Sequence, residues 1–109
     1  MTYATAEDLA AALRVAVTPK NQAQLDRSLA AAAQEIDHYV DRLADDPIPP
    51  DDPLAGSVNI ARGVEWFKAS DAAFGAVGFS DIGVLAAPAD PFARHARALI
   101  PLKRQFGVG

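Results

Sequence analysis

The hydrophobic residues of this chain recur at helical spacing through its first half. Between positions 20 and 43 they stand mostly three or four residues apart, with charged residues between them. This pattern is typical of an amphipathic helix with one buried face, so the sequence predicts a long helix near 20–43. The predicted buried face comprises Leu25, Leu29, Ala32, Ala33, Ile36, Tyr39, Val40 and Leu43, and the predicted solvent face Asp26, Arg27, Gln34, Asp37, Asp41 and Arg42.

A shorter helix is predicted before the long one. Thr5 precedes Glu7 and Asp8, and a capping hydroxyl followed by acidic residues favours a helix N-terminus. The expected helix covers Ala6 to Arg14. Thr18-Pro19 then interrupts the chain, and proline is well tolerated at the first position of the next helix.

The segment from Asp45 to Pro53 contains four prolines and four aspartates. Proline forbids regular helix and like charges repel, so this segment is predicted to be a stiff, exposed connection. Asp52-Pro53 supplies a cap and a first-turn proline for a third helix, which Gly56 and Gly63 should weaken locally. Its predicted buried residues are Leu54, Val58, Ala61, Phe67 and either Val64 or Trp66. Trp66 and Phe67 are interpreted as core residues.

Helical periodicity fails between Ala73 and Pro88, where three glycines interrupt a series of apolar residues. The pattern predicts a long glycine-rich loop with a possible short strand or hairpin near 83–85. Asp90-Pro91 then opens a fourth helix, which Pro101 should kink or end. The expected fold is mainly α, a single domain over 1–109 built as a small bundle of about four helices.

Charge is distributed unevenly along the chain, whose net charge is −4. All 14 acidic residues and 6 of the 10 Lys and Arg lie in residues 1–90, whereas residues 91–109 contain 4 Lys and Arg and no acid. A basic end on an acidic protein suits a partner contact, although basic residues also complement a helix C-terminus. Acidic residues near the N-terminus and the lack of a long apolar run lead us to expect synthesis in the cytoplasm without membrane insertion.

Residues able to support catalysis or bind metals are few. The chain has no cysteine, which excludes disulfides and thiolate zinc sites. Glu35 and His38 have the Glu-x-x-His spacing of di-iron bundles, but such a site needs a second copy of the motif and two more glutamates, and only Glu7 and Glu65 remain. No nucleophile elbow or phosphate loop occurs. We therefore expect no enzymatic activity, no metal and no cofactor.

Basic residues cluster near the C-terminus, but they do not form a convincing DNA-reading surface. The patch is short, and only Phe106 is available nearby for stacking on a base. Tight sequence-specific DNA binding is not expected of such a patch on an acidic protein. The cluster consists of Arg94, His95, Arg97, Lys103 and Arg104.

Four stretches give the chain its resemblance to a known family. They are Tyr3-Ala-Thr-Ala-Glu-Asp-Leu9, Glu35-Ile-Asp-His-Tyr-Val-Asp-Arg42, Gly75-Ala-Val-Gly-Phe-Ser-Asp-Ile-Gly83 and Ala98-Leu-Ile-Pro-Leu-Lys-Arg-Gln-Phe-Gly107. In these stretches the chain resembles the head-to-tail adaptor, or connector, proteins of long-tailed phages of actinobacterial hosts. Related chains end on Leu-Leu-x-Pro-Tyr-Arg-Arg; here Leu102 replaces the aromatic residue, and Lys103-Arg104 supply the basic pair.

The resemblance implies a structural virion protein without enzymatic activity. Such a subunit forms a ring, expected to be twelve-fold, beneath the portal protein in the neck of the virion, and it contacts neighbouring neck or tail proteins. DNA passes through the ring without sequence-specific binding, and an acidic body would repel the phosphates so that DNA slides. We predict subunit or portal contacts by Phe79, Ile82 and Val84 in the apolar loop, and by Lys103, Arg104 and Phe106 in the basic end.

Two other classes of protein fit parts of the sequence. Another neck component, a stopper or a tail terminator, would have a β-rich fold. A regulatory module outside phage biology would bind a partner by placing a helix in a groove.

Overall fold

The computed structural model describes residues 2–74 and 86–103, and these are mainly α-helical. The elements are α1 (Ala6–Leu13), α2 (Gln22–Val40), α3 (Pro53–Phe74) and α4 (Ala93–Leu99), followed by a short 3-10 helix (Ile100–Leu102). Neither of the two described ranges contains a strand. The prediction of a small helical bundle is confirmed, while the possible strand at 83–85 lies outside the described residues.

Local hydrogen bonds determine where the first two helices begin. Thr5 and Asp8 form a reciprocal capping box, in which the Asp8 N–H donates to Thr5 Oγ1 and the Thr5 N–H donates to Asp8 Oδ2. Thr18 and Asn21 exchange a similar pair of bonds at 2.8 and 3.2 Å. This second pair closes a turn, so Pro19 is not the first residue of α2, which begins at Gln22.

The end of α2 comes earlier than the hydrophobic pattern predicts. Asp41 adopts the left-handed conformation, with φ 51° and ψ 49°, and its N–H donates to the carbonyl oxygen of Asp37. The prediction that Leu43 belongs to the buried face is wrong. Its side chain leaves the helical register and is 55% exposed.

The core consists of two hydrophobic clusters arranged along antiparallel α2 and α3. The first cluster joins α1 to the first half of α2. The second joins the last turns of α2 to the start of α3 and to Leu99 of α4, and it includes Ile48, which is only 4% exposed. The proline-rich connection is therefore not wholly exposed as predicted, because Ile48 anchors it to the core.

The buried face of α3 is more polar than predicted. Leu54 and Ala61 are exposed, whereas the buried residues are Ala55, Val58, Asn59, Arg62, Gly63 and Ser70. A Cβ atom on Gly63 would lie only 3.3 Å from a methyl carbon of Leu29, so this glycine allows α3 to approach α2 closely. Asn59 donates to the carbonyl oxygen of Leu29 and accepts from the N–H of Tyr3, which ties the N-terminus to the bundle.

Within the described ranges, no helix has the length and apolar character needed to cross a membrane.

Candidate functional site: the Arg62 network

A nearly buried arginine connects α3 to α2 and to the segment that precedes α4. Arg62 of α3 has a side chain that is 4% exposed. Its Nε and Nη2 donate to the two carboxylate oxygens of Glu35 in α2, at 2.8 and 2.9 Å. Its Nη1 donates to Glu65 Oε1 at 2.9 Å and to the carbonyl oxygen of Asp90 at 2.8 Å. We call this guanidinium and its side-chain partners, together with Arg94 and His95 described below, the Arg62 network.

The arginine holds both glutamates in their ionised form. Burial alone would raise the pKa of Glu35, but hydrogen bonds from Arg62 and from Trp66 Nε1, the latter at 2.7 Å, outweigh it and lower that pKa. Burial likewise opposes ionisation of Glu65, whose pKa is nevertheless lowered by His95 and Arg62. In return, the hydrogen bonds to Glu35 raise the pKa of Arg62. Glu35, Glu65 and Arg62 therefore stay charged at neutral pH.

Glu65 is the point at which α4 is attached to the network. Its Oε2 lies 3.0 Å from Arg94 Nη1, and its Oε1 lies 2.9 Å from His95 Nε2. Arg94 also pairs with Asp90, at 2.7 Å. Two of the five residues in the predicted basic cluster, Arg94 and His95, are thus engaged by acids of the same chain.

An aromatic row lies beside the charged groups and extends to the end of the described chain. The Arg62 guanidinium carbon lies 5.8 Å from the ring centre of Phe92, which also packs against His95 and Tyr39. Lys103 Nζ lies 4.6 Å from the ring centre of Tyr39, within the range of a cation–π interaction. The last described residue is therefore fixed against α2 although its side chain is exposed.

The residues predicted to make contacts are only partly described. Lys103 is the one described member of that set, while Phe79, Ile82, Val84, Arg104 and Phe106 lie outside the described residues. The Glu35-x-x-His38 spacing does not form a metal site, because Glu35 bonds to Arg62 and Trp66, and His38 is exposed. No group of three or more potential metal ligands occurs in residues 2–74 and 86–103.

Sequence reasoning did not identify Arg62 as important. The only local signal is the Arg62–Glu65 spacing of three residues on one helix, which is common on solvated helix faces. Glu35 and Asp90 are 27 and 28 residues from Arg62, so their convergence depends on how the helices pack.

A second feature is a surface groove beside the end of α2, which we call the α2-end groove. It has a volume of about 220 Å³. The Tyr3 hydroxyl donates to Asp37 Oδ1 at its edge, and burial together with this bond raises the pKa of Tyr3. The apolar lining residues are Tyr3, Val40, Leu43, Ala44, Pro47 and Ile48, and Asp37 and Arg42 are charged.

Comparison of the chain with models of known families, with curated proteins and with solved structures gives no match.

The geometry of the Arg62 network suits a structural role. Each carboxylate of Glu35 and Glu65 accepts at least two bonds from fixed donors, and Arg62 makes four. Such saturated groups hold elements in place, since a catalytic acid or base needs a proton that it can exchange with substrate. The network fixes the orientation of α4 relative to α2 and α3.

Proposed function

We propose that this chain is a subunit of a phage head-to-tail adaptor ring, which docks on the portal protein and extends the DNA channel toward the tail. The resemblance in residues 75–83 and 98–107 supports this proposal. The structural observation that carries it is the Arg62 network, because the network holds the basic end of the chain in one orientation.

A docking subunit must present its contact residues from a rigid base. Arg62, Glu35 and Glu65 provide that base by joining α4 to the two longest helices. Tyr39 then positions Lys103, so the basic tail that follows starts from a defined point. Preorganisation of this kind reduces the entropy lost on binding.

The distribution of charge along the chain also favours a role in forming a channel for DNA. Residues 1–90 carry all of the acids, and an acidic surface repels the phosphates of a passing DNA molecule. We propose that DNA slides through the ring without sequence-specific contacts and that the chain catalyses no reaction.

The helical content distinguishes this proposal from its nearest alternatives. Stopper and tail terminator proteins are expected to be β-rich, whereas residues 2–74 and 86–103 contain helices and no strand. A free helical regulatory module stays compatible with the fold, and the docking experiment separates it from an adaptor.

The experiment combines the purified chain with portal rings of the phage that encodes it, followed by electron microscopy. We expect a ring of extra density at one end of the portal, and its loss when residues 102–109 are deleted or when Phe79, Ile82 and Val84 are all replaced by Asp. Val15→Asp, an exposed apolar residue outside these sets, is the matched control and should still dock. Unchanged docking by both altered chains, or no docking by the natural chain, would contradict the proposal.

A further inference from the structure

The α2-end groove combines an apolar floor with an acidic surround. Leu43 forms part of its wall and is 55% exposed, although leucine usually favours the interior. The sequence between residues 37 and 52 contains six aspartates and one arginine. That arginine, Arg42, pairs with Asp46 at 2.8 Å, and the segment as a whole keeps a negative net charge. The groove suits a segment that is both apolar and basic.

The C-terminal tail of this chain has that chemistry. Residues 100–109 contain Lys103 and Arg104, no acid, and the apolar side chains of Ile100, Phe106 and Val108, besides Leu102, which packs against the core of its own chain. Ile100 is 57% exposed, the largest exposure among the large hydrophobic residues of the described ranges. The tail and the groove are therefore complementary in charge and in polarity.

The position of Lys103 indicates which copy of the groove the tail meets. Lys103 lies over Tyr39, whereas the groove is lined by Asp37 and Val40. Successive residues of an α-helix are about 100° apart around the axis, so Tyr39 faces a different side of α2 from these two residues. The tail begins on the side away from the groove of its own copy, which favours a groove on a neighbour.

We propose that the α2-end groove of one copy binds the end of the C-terminal tail, residues 104–109, of a second copy. The contact joins two different surfaces, so it can be repeated from copy to copy and generates a ring when the rotation closes. The contact itself requires only two copies of the chain. Only the closure of this contact into a ring on the portal rests on the proposed function.

Binding of a synthetic tail peptide tests the groove directly. The chain lacking residues 104–109 is labelled with ¹⁵N and titrated with a peptide of residues 100–109. We expect chemical-shift changes at Leu43, Ala44 and Ile48, and weaker binding at high salt because exposed charges are screened. A peptide with Lys103 and Arg104 changed to Glu should bind at least about tenfold more weakly.

Two variants test whether the groove is responsible. In the chain lacking 104–109, Leu43→Asp places a charge on the apolar wall and should weaken peptide binding by at least about tenfold. Val15→Asp makes the same change at another exposed apolar residue, 43% exposed and outside the groove, and should leave binding within about twofold. Absence of peptide binding at millimolar concentration, or equal loss in both variants, would overturn the proposal.

Mixing two defective chains tests whether the contact is between copies. A full-length Leu43→Asp chain keeps its tail, and the chain lacking 104–109 keeps its groove. Each alone should be monomeric in sedimentation experiments, and an equimolar mixture should form a one-to-one dimer. A mixture that stays monomeric would contradict the proposal. The natural full-length chain, whose groove and tail are both intact, should self-associate above the dissociation constant of the peptide; if it stays monomeric there while the peptide binds the truncated chain, the tail occupies the groove of its own chain and the proposal is wrong.

These results are independent of the portal. Peptide binding and dimer formation without portal docking would retain this contact and remove the adaptor function. Portal docking by a chain that binds no tail peptide and forms no dimer would retain the adaptor function and remove this contact.

Discussion

At the scale of single residues, Arg62 is the group on which the arrangement of the helices depends most. It is 4% exposed and contacts Glu35, Glu65 and the carbonyl oxygen of Asp90. A buried charge is tolerated only when its partners are in place, and its partners are equally dependent on it. Removing the guanidinium leaves Glu35 without its main donor and Glu65 without one of its three partners.

We predict that Arg62→Met lowers the free energy of unfolding by about 2 to 4 kcal/mol. Methionine fills much of the space but supplies no donor to Glu35 or Glu65. The lower part of the usual range for buried pairs applies because these glutamates are 26% and 19% exposed. Urea denaturation at pH 7 measures the change.

Arg42→Met provides the matched control. Its partner Asp46 is 71% exposed, and an ion pair in water contributes little, so the loss should stay below about 1 kcal/mol. Equal losses in the two variants would show that burial does not distinguish the two arginines.

At the scale of elements, helix starts were predicted better than helix ends or buried faces. Capping is local in sequence, so Thr5-Ala-Glu-Asp8 and Asp52-Pro53 identified the starts of α1 and α3. The end of α2 depends on the left-handed conformation of Asp41, which no neighbouring residue signals. The hydrophobic pattern also assigned Leu54 and Ala61 to the core of α3, because pattern analysis counts apolar residues and overlooks a polar residue such as Asn59 that finds its partners through packing.

The candidate site was harder to predict than the fold for the same reason. Charge asymmetry drew attention to Arg94 and His95 as part of a free basic patch, but both contact Glu65. Ion pairs between distant segments follow from tertiary structure, which a single sequence does not reveal. The contact roles of the tail and the apolar loop stay predictions.

We predict that Asp52→Ala destabilises the protein by about 1 kcal/mol. Asp52 Oδ1 accepts from the N–H groups of Leu54 and Ala55, both at 3.0 Å, and satisfies donors that the first turn of α3 cannot satisfy internally. Hydrogen exchange at Ala55 should accelerate with the loss of stability.

Asp51→Ala is the control for this change, since it removes a neighbouring exposed carboxylate that does not cap the helix. It should change the stability by no more than about 0.5 kcal/mol. A comparable loss in this variant would indicate a general charge effect in place of capping.

At the scale of the whole molecule, the last helix is attached differently from the others. α1, α2 and α3 share a hydrophobic cluster, whereas α4 is seven residues long and contributes one fully buried side chain, Leu99. Its remaining attachment runs through Glu65, Arg94, His95 and Phe92. We therefore expect acid to lower the stability of α4 more than that of the other helices.

We predict that acidification loosens α4 before α2. The pKa values of Glu35 and Glu65 are lowered by folding from an ordinary value of 4.5, so unfolded chains bind more protons in this range. The stabilisation is complete above that ordinary value and is lost as pH falls through the lower folded values. Hydrogen exchange at Ala96, corrected for intrinsic rates, should accelerate below pH 4.5 more than exchange at Ala32.

Glu65→Gln should abolish most of this difference, because a neutral amide has no charge to lose on acidification. Glu7→Gln, which leaves Glu65 in place, should preserve the difference. Parallel acceleration of α2 and α4 at every pH would show that the molecule opens as one unit.

The order in which ribosomes make the chain gives the Arg62 network one more consequence. Glu35 is already part of the growing chain when Arg62 is added, and Glu65 follows three residues later, but Asp90 follows only 28 residues after Arg62, and Arg94 and His95 come later still. A growing polypeptide therefore carries Arg62 with an incomplete set of partners until residues 90–95 have been made. Premature termination before codon 90 would leave a product whose central arginine is never fully enclosed, and such a product should be a preferred target of cellular proteases.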